Sequence, residues 1–163
     1  MIYELSGDIL LSGAKAIAHG VAPNDDFHQG LALQLREQEP ALHKDFRHFC
    51  QGHHPKSGGL WTWMGADGRY VINLFTQEGA FDHGSKPGQA TLANVNHSLH
   101  ALRALVEKEK ISSLALPRLA TGVGSLDWSD VKPLIDKLLG DLGIPVYVYS
   151  TYHKGVKADE PAA

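Results

Sequence analysis

Cysteine is almost absent from this chain. Cys50 is the only one among 163 residues. A single thiol cannot form an intramolecular disulfide, and it leaves no cysteine-based zinc site. Basic charge is in the minority: 15 Lys and Arg stand against 18 Asp and Glu, for a formal net charge of −3. The balance gives no general attraction to nucleic acid or anionic membranes and leaves room only for a local basic patch. No apolar run approaches the roughly 18 residues that a membrane span needs. Met1-Ile2-Tyr3-Glu4 has no basic region followed by an apolar stretch, so no secretory signal is expected. These absences point to a cytoplasmic protein without a membrane partner.

What is there fits one ordinary globular domain. A 43% hydrophobic and 20% charged composition is typical of a soluble fold, and the length suffices for a real core. Apolar segments at Ile2–Leu5, Lys15–His19, Leu60–Met64, Tyr70–Thr76, Ser113–Leu116 and Val146–Tyr149 read as strands. Asp67-Gly68 between the third and fourth is a strong hairpin signal. Helices are expected over Leu31–Glu37, from Pro40 onward, over Thr91–Lys110 with Thr91 as N-cap, and over Trp128–Leu139. Pro133 places the cap of the last helix at Asp127 or Ser129. Loops are expected over Gly20–Gln29, Gln51–Gly59 and Glu78–Gly88. Strands alternating with helices imply an α/β domain with its ligand at the C-terminal edges of the strands.

Two distant segments look built for one ligand. The first holds Ser6-Gly7-Asp8-Ile9-Leu10, Ala16-Ile17-Ala18-His19 and Phe27-His28-Gln29-Gly30-Leu31-Ala32. The second runs from Leu114 through Pro117-Arg118-Leu119-Ala120-Thr121-Gly122-Val123-Gly124-Ser125-Leu126 to Asp127-Trp128. It reads as a buried strand, a glycine loop and a helix start. Backbone amides in such a loop can cradle an anion such as a pyrophosphate. Gly122 and Gly124 would permit positive φ and a close backbone approach.

The order and wording of these segments resemble a macrodomain, over about Ile2 to Tyr149. Ala18-His19, Gly30-Leu31-Ala32, Asn73-Leu74-Phe75-Thr76 and Leu126-Asp127-Trp128 point to one branch. It holds the terminal ADP-ribose glycohydrolases, the DNA-ADP-ribose-removing antitoxins and the yeast-type ADP-ribose-1″-phosphate phosphatases. The resemblance implies a three-layer α/β/α fold with a central mixed six-stranded sheet over residues 1–153, followed by a disordered tail over 154–163. It implies ADP-ribose, free or on protein or nucleic acid, as the ligand of a monomer. Neither cofactor nor metal is expected.

The resemblance also assigns roles. Asp8 and the Ile9 amide would contact adenine, with Tyr149 against its face; a turn cap and a core tyrosine are the plainer readings of Asp8 and Tyr149. Ala120, Thr121, Gly122, Val123, Gly124, Ser125 and Leu126 would cradle the diphosphate, with Gly30, Leu31 and Ala32 as the opposing wall. Thr76 closes its strand beside the same ligand. His19 and His28 are the catalytic candidates, able to act as acid or base near the distal ribose, with Asp25 or Asp26 to orient one of them; a core histidine and a loop histidine are the alternatives. His43, His48, His53 and His54 show no metal-ligand spacing.

The chain departs from the enzymes at two positions. Gln77 stands where the glycohydrolases carry a nucleophilic Lys, and an amide cannot form that adduct. Gly124 stands where one subgroup carries an Asp. Three functions stay open: a phosphatase or related hydrolase using His19, a Lys-independent ADP-ribosyl hydrolase, and a non-catalytic ADP-ribose reader.

Overall fold

The computed structural model describes residues 1–79 and 88–161. Its elements are β1 (Ile2–Gly7), a 3₁₀ turn (Ile9–Leu11), β2 (Ala16–Val21), α1 (Gly30–Gln38), α2 (Pro40–His53), β3 (Leu60–Met64), β4 (Tyr70–Phe75), α3 (Leu92–Glu109), β5 (Leu114–Pro117), α4 (Trp128–Leu139) and β6 (Val146–Tyr152). They form a six-stranded sheet in the order β1-β6-β5-β2-β4-β3. Only β3 runs antiparallel, joined to β4 through the expected hairpin, where Gly68 takes φ 79°. The fold is therefore the mixed, three-layer α/β architecture read from the sequence.

Strand alternation divides the core into two faces. Ala16 and Ala18 of β2, Ile72 and Leu74 of β4, Leu114 and Leu116 of β5, and Val146 and Val148 of β6 pack under α3 and α4. The other face carries Val21, Val71 and Phe75, covered by α1 and α2 through Leu35, Leu42 and Phe46. Trp61 and Trp63 share that face, and both pack against this second cluster. Ile17, Ala115, Tyr147 and Tyr149 lie further along the same side, against Ile9, Ala14 and Ala158.

Helix ends follow the local chemistry. Thr91 caps α3, its hydroxyl accepting from the Asn94 amide at 3.1 Å. Pro40 sits at the start of α2, where a missing N–H costs nothing. Asp127 is the N-cap of α4, and Pro133 falls in the second turn, later than the position where proline is best tolerated.

The C-terminal segment differs from expectation. In place of a disordered tail beginning at residue 154, the chain through Pro161 packs back over β1, β6 and the 3₁₀ turn. The Asp8 amide donates to Val156 O at 2.7 Å, and Gly155 N to Asp8 Oδ2 at 2.9 Å. Glu160 accepts from Ser12 Oγ, Gly13 N and Tyr149 Oη at 2.6, 2.8 and 2.7 Å. Ala158 is buried against Gly7. Residues 162–163 and most of the loop expected over 78–88 lie outside the described residues. Among the described residues, no helix is long and apolar enough to cross a membrane.

Candidate functional site

The loop after β2 folds around a carboxylate. Asp25 accepts from the amides of Ala22 and Phe27, at 3.0 and 2.9 Å. Burial pushes its pKa up, against the pull of those two bonds. The Asp25 carboxylate thus shapes the loop and bonds neither His19 nor His28, while its carbonyl oxygen lies 3.3 Å from His43 Nε2. Phe27 is fully buried at φ 55°, edge-on to His19 at 5.7 Å and tilted against Phe46 at 4.8 Å. His28 stays exposed beside Asp26, 3.5 Å away. Then α1 begins at Gly30, and the N-cap residue Gln29 makes no side-chain cap bond. Among the described residues its first-turn amides meet no side-chain acceptor, which leaves them open to an anion.

The glycine loop after β5 closes on itself in two places. Leu126 N donates to Ala120 O at 2.9 Å, and Ser125 N to Gly122 O at 3.1 Å. The amides of Gly122, Val123 and Gly124 have no acceptor among the described residues. Positive φ falls on Ala120 (62°) and Ser125 (67°), not on the two glycines. Gly124 is required for space: a Cβ there would lie 2.6 Å from Ala120 O and 2.9 Å from Ala90 Cβ. Gly122 meets nothing within 4 Å. Asn24 and Phe27 in one loop, and Ala120 and Ser125 in the other, hold left-handed backbone without being glycine. Such strain collects where a site over-determines the chain.

The two loops enclose a cleft of about 560 Å³, a size suited to a nucleotide-like ligand. It brings together His19, His28, Gly30, Leu31, Ala32, Ala120, Gly122, Val123 and Gly124 from the sequence reading. Gln77 lines it as well, with its amide nitrogen on Gly88 O at 3.1 Å. Arg118 was missed as a site residue. It is the only Lys or Arg among the lining residues, and its guanidinium lies 5.5 Å from the Trp128 ring. Its place directly after Pro117, at the C-terminal end of β5, was the available signal.

Other expected residues stand apart. Thr121, Ser125 and Leu126 are in the loop but not in the cleft lining. Thr76 lies behind Gly20, where its buried Oγ1 has no partner among the described residues. Asp8, Ile9 and Tyr149 are buried beyond the cleft, beneath the C-terminal segment. Asp8 caps the 3₁₀ turn through Leu10 N at 3.0 Å and binds Gly155 N with its other oxygen.

His19 is 2% exposed, and its Nε2 lies 2.7 Å from Asn73 Oδ1. Burial pushes its pKa down to about 4, a shift that the Asn73 bond only partly offsets. It is neutral at pH 7, which suits a base and not an acid. The expectation of titration near neutrality therefore fails at this position. Among the described residues, no group of three or more His, Cys, Asp or Glu could hold a metal ion.

Comparison with known proteins places this geometry. No family model matches the chain. The macrodomain of Thermus aquaticus DarG superposes with a TM-score of 0.80 at 26% identity, over 92% of this chain and 98% of that one. Thermosipho africanus DarTG, solved in complex with ADP-ribose, superposes with a TM-score of 0.79 at 22% identity, over 96% and 42%. The chain has the macrodomain fold. Among curated proteins it is 27% identical to a DNA ADP-ribosyl transferase–DNA ADP-ribosyl glycohydrolase fusion protein of Thermosipho africanus, over 93% of this chain. It spans 42% of that relative's length.

Proposed function

We propose that the cleft binds ADP-ribose and hydrolyses it from a conjugate, with ADP-ribosylated DNA as the leading substrate class. The observation that carries the reading is the convergence of three anion-binding elements on one cleft. These are the amides of Gly122, Val123 and Gly124, which have no acceptor among the described residues, the start of α1, which has no side-chain cap from Gln29, and Arg118. Together they suit a diphosphate. The Thermosipho africanus relative is named a DNA ADP-ribosyl glycohydrolase, which supports DNA as the conjugate here.

In this reading His19 acts as the base and Gln77 only borders the reacting ribose. Water is then the nucleophile, since the lysine adduct has no counterpart here. His28, paired with Asp26 at the cleft mouth, is the group placed to protonate a leaving atom. Adenine contact at Asp8 and Tyr149 requires the C-terminal segment to move aside. Gln77 also favours a second reading, a non-catalytic reader of ADP-ribose.

Calorimetry with ADP-ribose comes first, followed by release of ADP-ribose from a modified oligonucleotide and turnover of ADP-ribose-1″-phosphate. Saturable heat with release from the oligonucleotide is expected. Heat without any turnover leaves the reader. An absence of saturation at millimolar ADP-ribose overturns both readings.

A further inference from the structure

We infer that Asn73 is a positioning residue that sets the tautomer of His19, leaving Nδ1 as the ring nitrogen that can accept a proton. The inference begins with register. β2 and β4 are parallel neighbours, and His19 pairs directly with Asn73. Both side chains therefore leave the sheet on the face covered by α1 and α2. Asn73 is fully buried, so its amide must find partners inside the protein.

Those partners decide which way the amide points. Asn73 Nδ2 lies 3.1 Å from Trp61 O and 3.4 Å from Val71 O. Carbonyl oxygens only accept, so the nitrogen must face them. Asn73 Oδ1 is then the atom 2.7 Å from His19 Nε2, and it too can only accept. Nε2 must carry the proton. A neutral imidazole has a single N–H, so Nδ1 keeps its lone pair. With Nε2 taken, Nδ1 is the only ring nitrogen that His19 can offer to the cleft it lines.

The choice of an amide has a chemical meaning. A carboxylate in place of Asn73 would also accept from Nε2–H, but it would draw a second proton onto the ring. Asn73 holds the ring without adding charge. The charged groups that border the cleft are Asp25, Asp26 and His28 from the loop before α1, and Arg118 from the end of β5. The shift at His19 arises from burial and from Asn73, not from any of these.

For the reaction the inference rests on the proposed hydrolysis. His19 Nδ1 takes a proton from water as the water oxygen bonds to the anomeric carbon. The bond from that carbon to the conjugated atom breaks, and its electron pair leaves with that atom. The leaving atom takes up one proton, and the proton on His19 returns to solvent.

The deciding experiment reads protonation at each ring nitrogen of His19 by long-range ¹H–¹⁵N correlation spectra of the ¹⁵N-labelled protein at pH 7. The expected spectrum shows Nε2 protonated and Nδ1 bare. A protonated Nδ1 overturns the inference without any variant. Asn73→Asp should make His19 titrate at higher pH and move the acidic limb of the kcat profile with it; an unmoved titration overturns the inference. Asn73→Leu should mix the tautomers and cut kcat by about 10²-fold, the scale of losing an oriented base. Its ADP-ribose affinity should change by less than about tenfold, and an unaltered tautomer in that variant counts against the inference. Calorimetry on the wild type keeps the two questions apart. The expected tautomer without ADP-ribose binding refutes the function and leaves the positioning role.

Discussion

Glu160→Ala tests whether the C-terminal segment is part of the fold. The wild-type carboxylate accepts three bonds, from Ser12 Oγ, Gly13 N and Tyr149 Oη. Gly13 N lies in an exposed setting and can turn to water, so its loss costs little. Ser12 and Tyr149 are both buried, at 5% exposure each, and would be left without this acceptor. An unmet buried hydroxyl costs about 1–3 kcal/mol. Some relaxation of the segment reduces the sum of two such costs, so the variant should lose about 2–3 kcal/mol in all. Urea unfolding should show a lower midpoint with an unchanged slope. A midpoint within about 0.5 kcal/mol of wild type, the scale of an ordinary surface change, would refute the packing of this segment. The same variant reports on the ligand. Adenine can reach Asp8 only after Gly155 leaves it, so loosening the segment should tighten ADP-ribose binding, by at most roughly 30–150-fold for 2–3 kcal/mol. An unchanged affinity places the base away from Asp8.

Gly124→Ala forces a Cβ against Ala120 O and should cost about 1–3 kcal/mol of stability, whereas Gly122→Ala should stay within about 0.5 kcal/mol of wild type. Thermal unfolding of the two variants side by side decides this, and equal losses would contradict the loop geometry. Arg118→Ala should weaken ADP-ribose binding by about 10- to 100-fold, the value of a charge-assisted contact to phosphate. Calorimetry reads it, and an unchanged affinity moves the diphosphate out of reach of β5. His19 makes stability depend on pH. Its ordinary pKa is 6.5 and its folded value is about 4, so the unfolded chain binds more protons between those values. The full contribution is present above pH 6.5, and on the order of 3 kcal/mol is lost as pH falls toward 4. Urea midpoints across that window should fall more steeply for wild type than for His19→Gln; equal slopes would refute the buried neutral histidine.

Local chemistry alone determined much of this protein. Asp67-Gly68 specified the hairpin because the turn from Gly65 to Gly68 ends in a left-handed position, φ 79° at Gly68, that favours glycine. The unbroken apolar run Ala16-Ile17-Ala18 marked a strand covered on both sides, and the Thr91 hydroxyl marked the start of α3. Both cleft loops were legible because each follows a strand and precedes a helix, so the α/β topology carries them to one edge.

Tertiary structure decided what depended on distant partners. Residues 154–161 look polar and solvated in the sequence, yet Glu160 finds Ser12 and Gly13 148 and 147 positions away. The glycines of the phosphate loop look alike in one dimension. Ala90 and Ala120 separate them, because only Gly124 is pressed against both. Arg118 became a site residue when its strand edge met α1 across the cleft. The neutrality of His19 was set by burial, with Phe27 edge-on to the ring, and its hydrogen bond by Asn73, 54 residues away. Strand and turn preferences act through neighbouring residues, whereas burial and hydrogen-bond direction exist only once the chain has closed on itself.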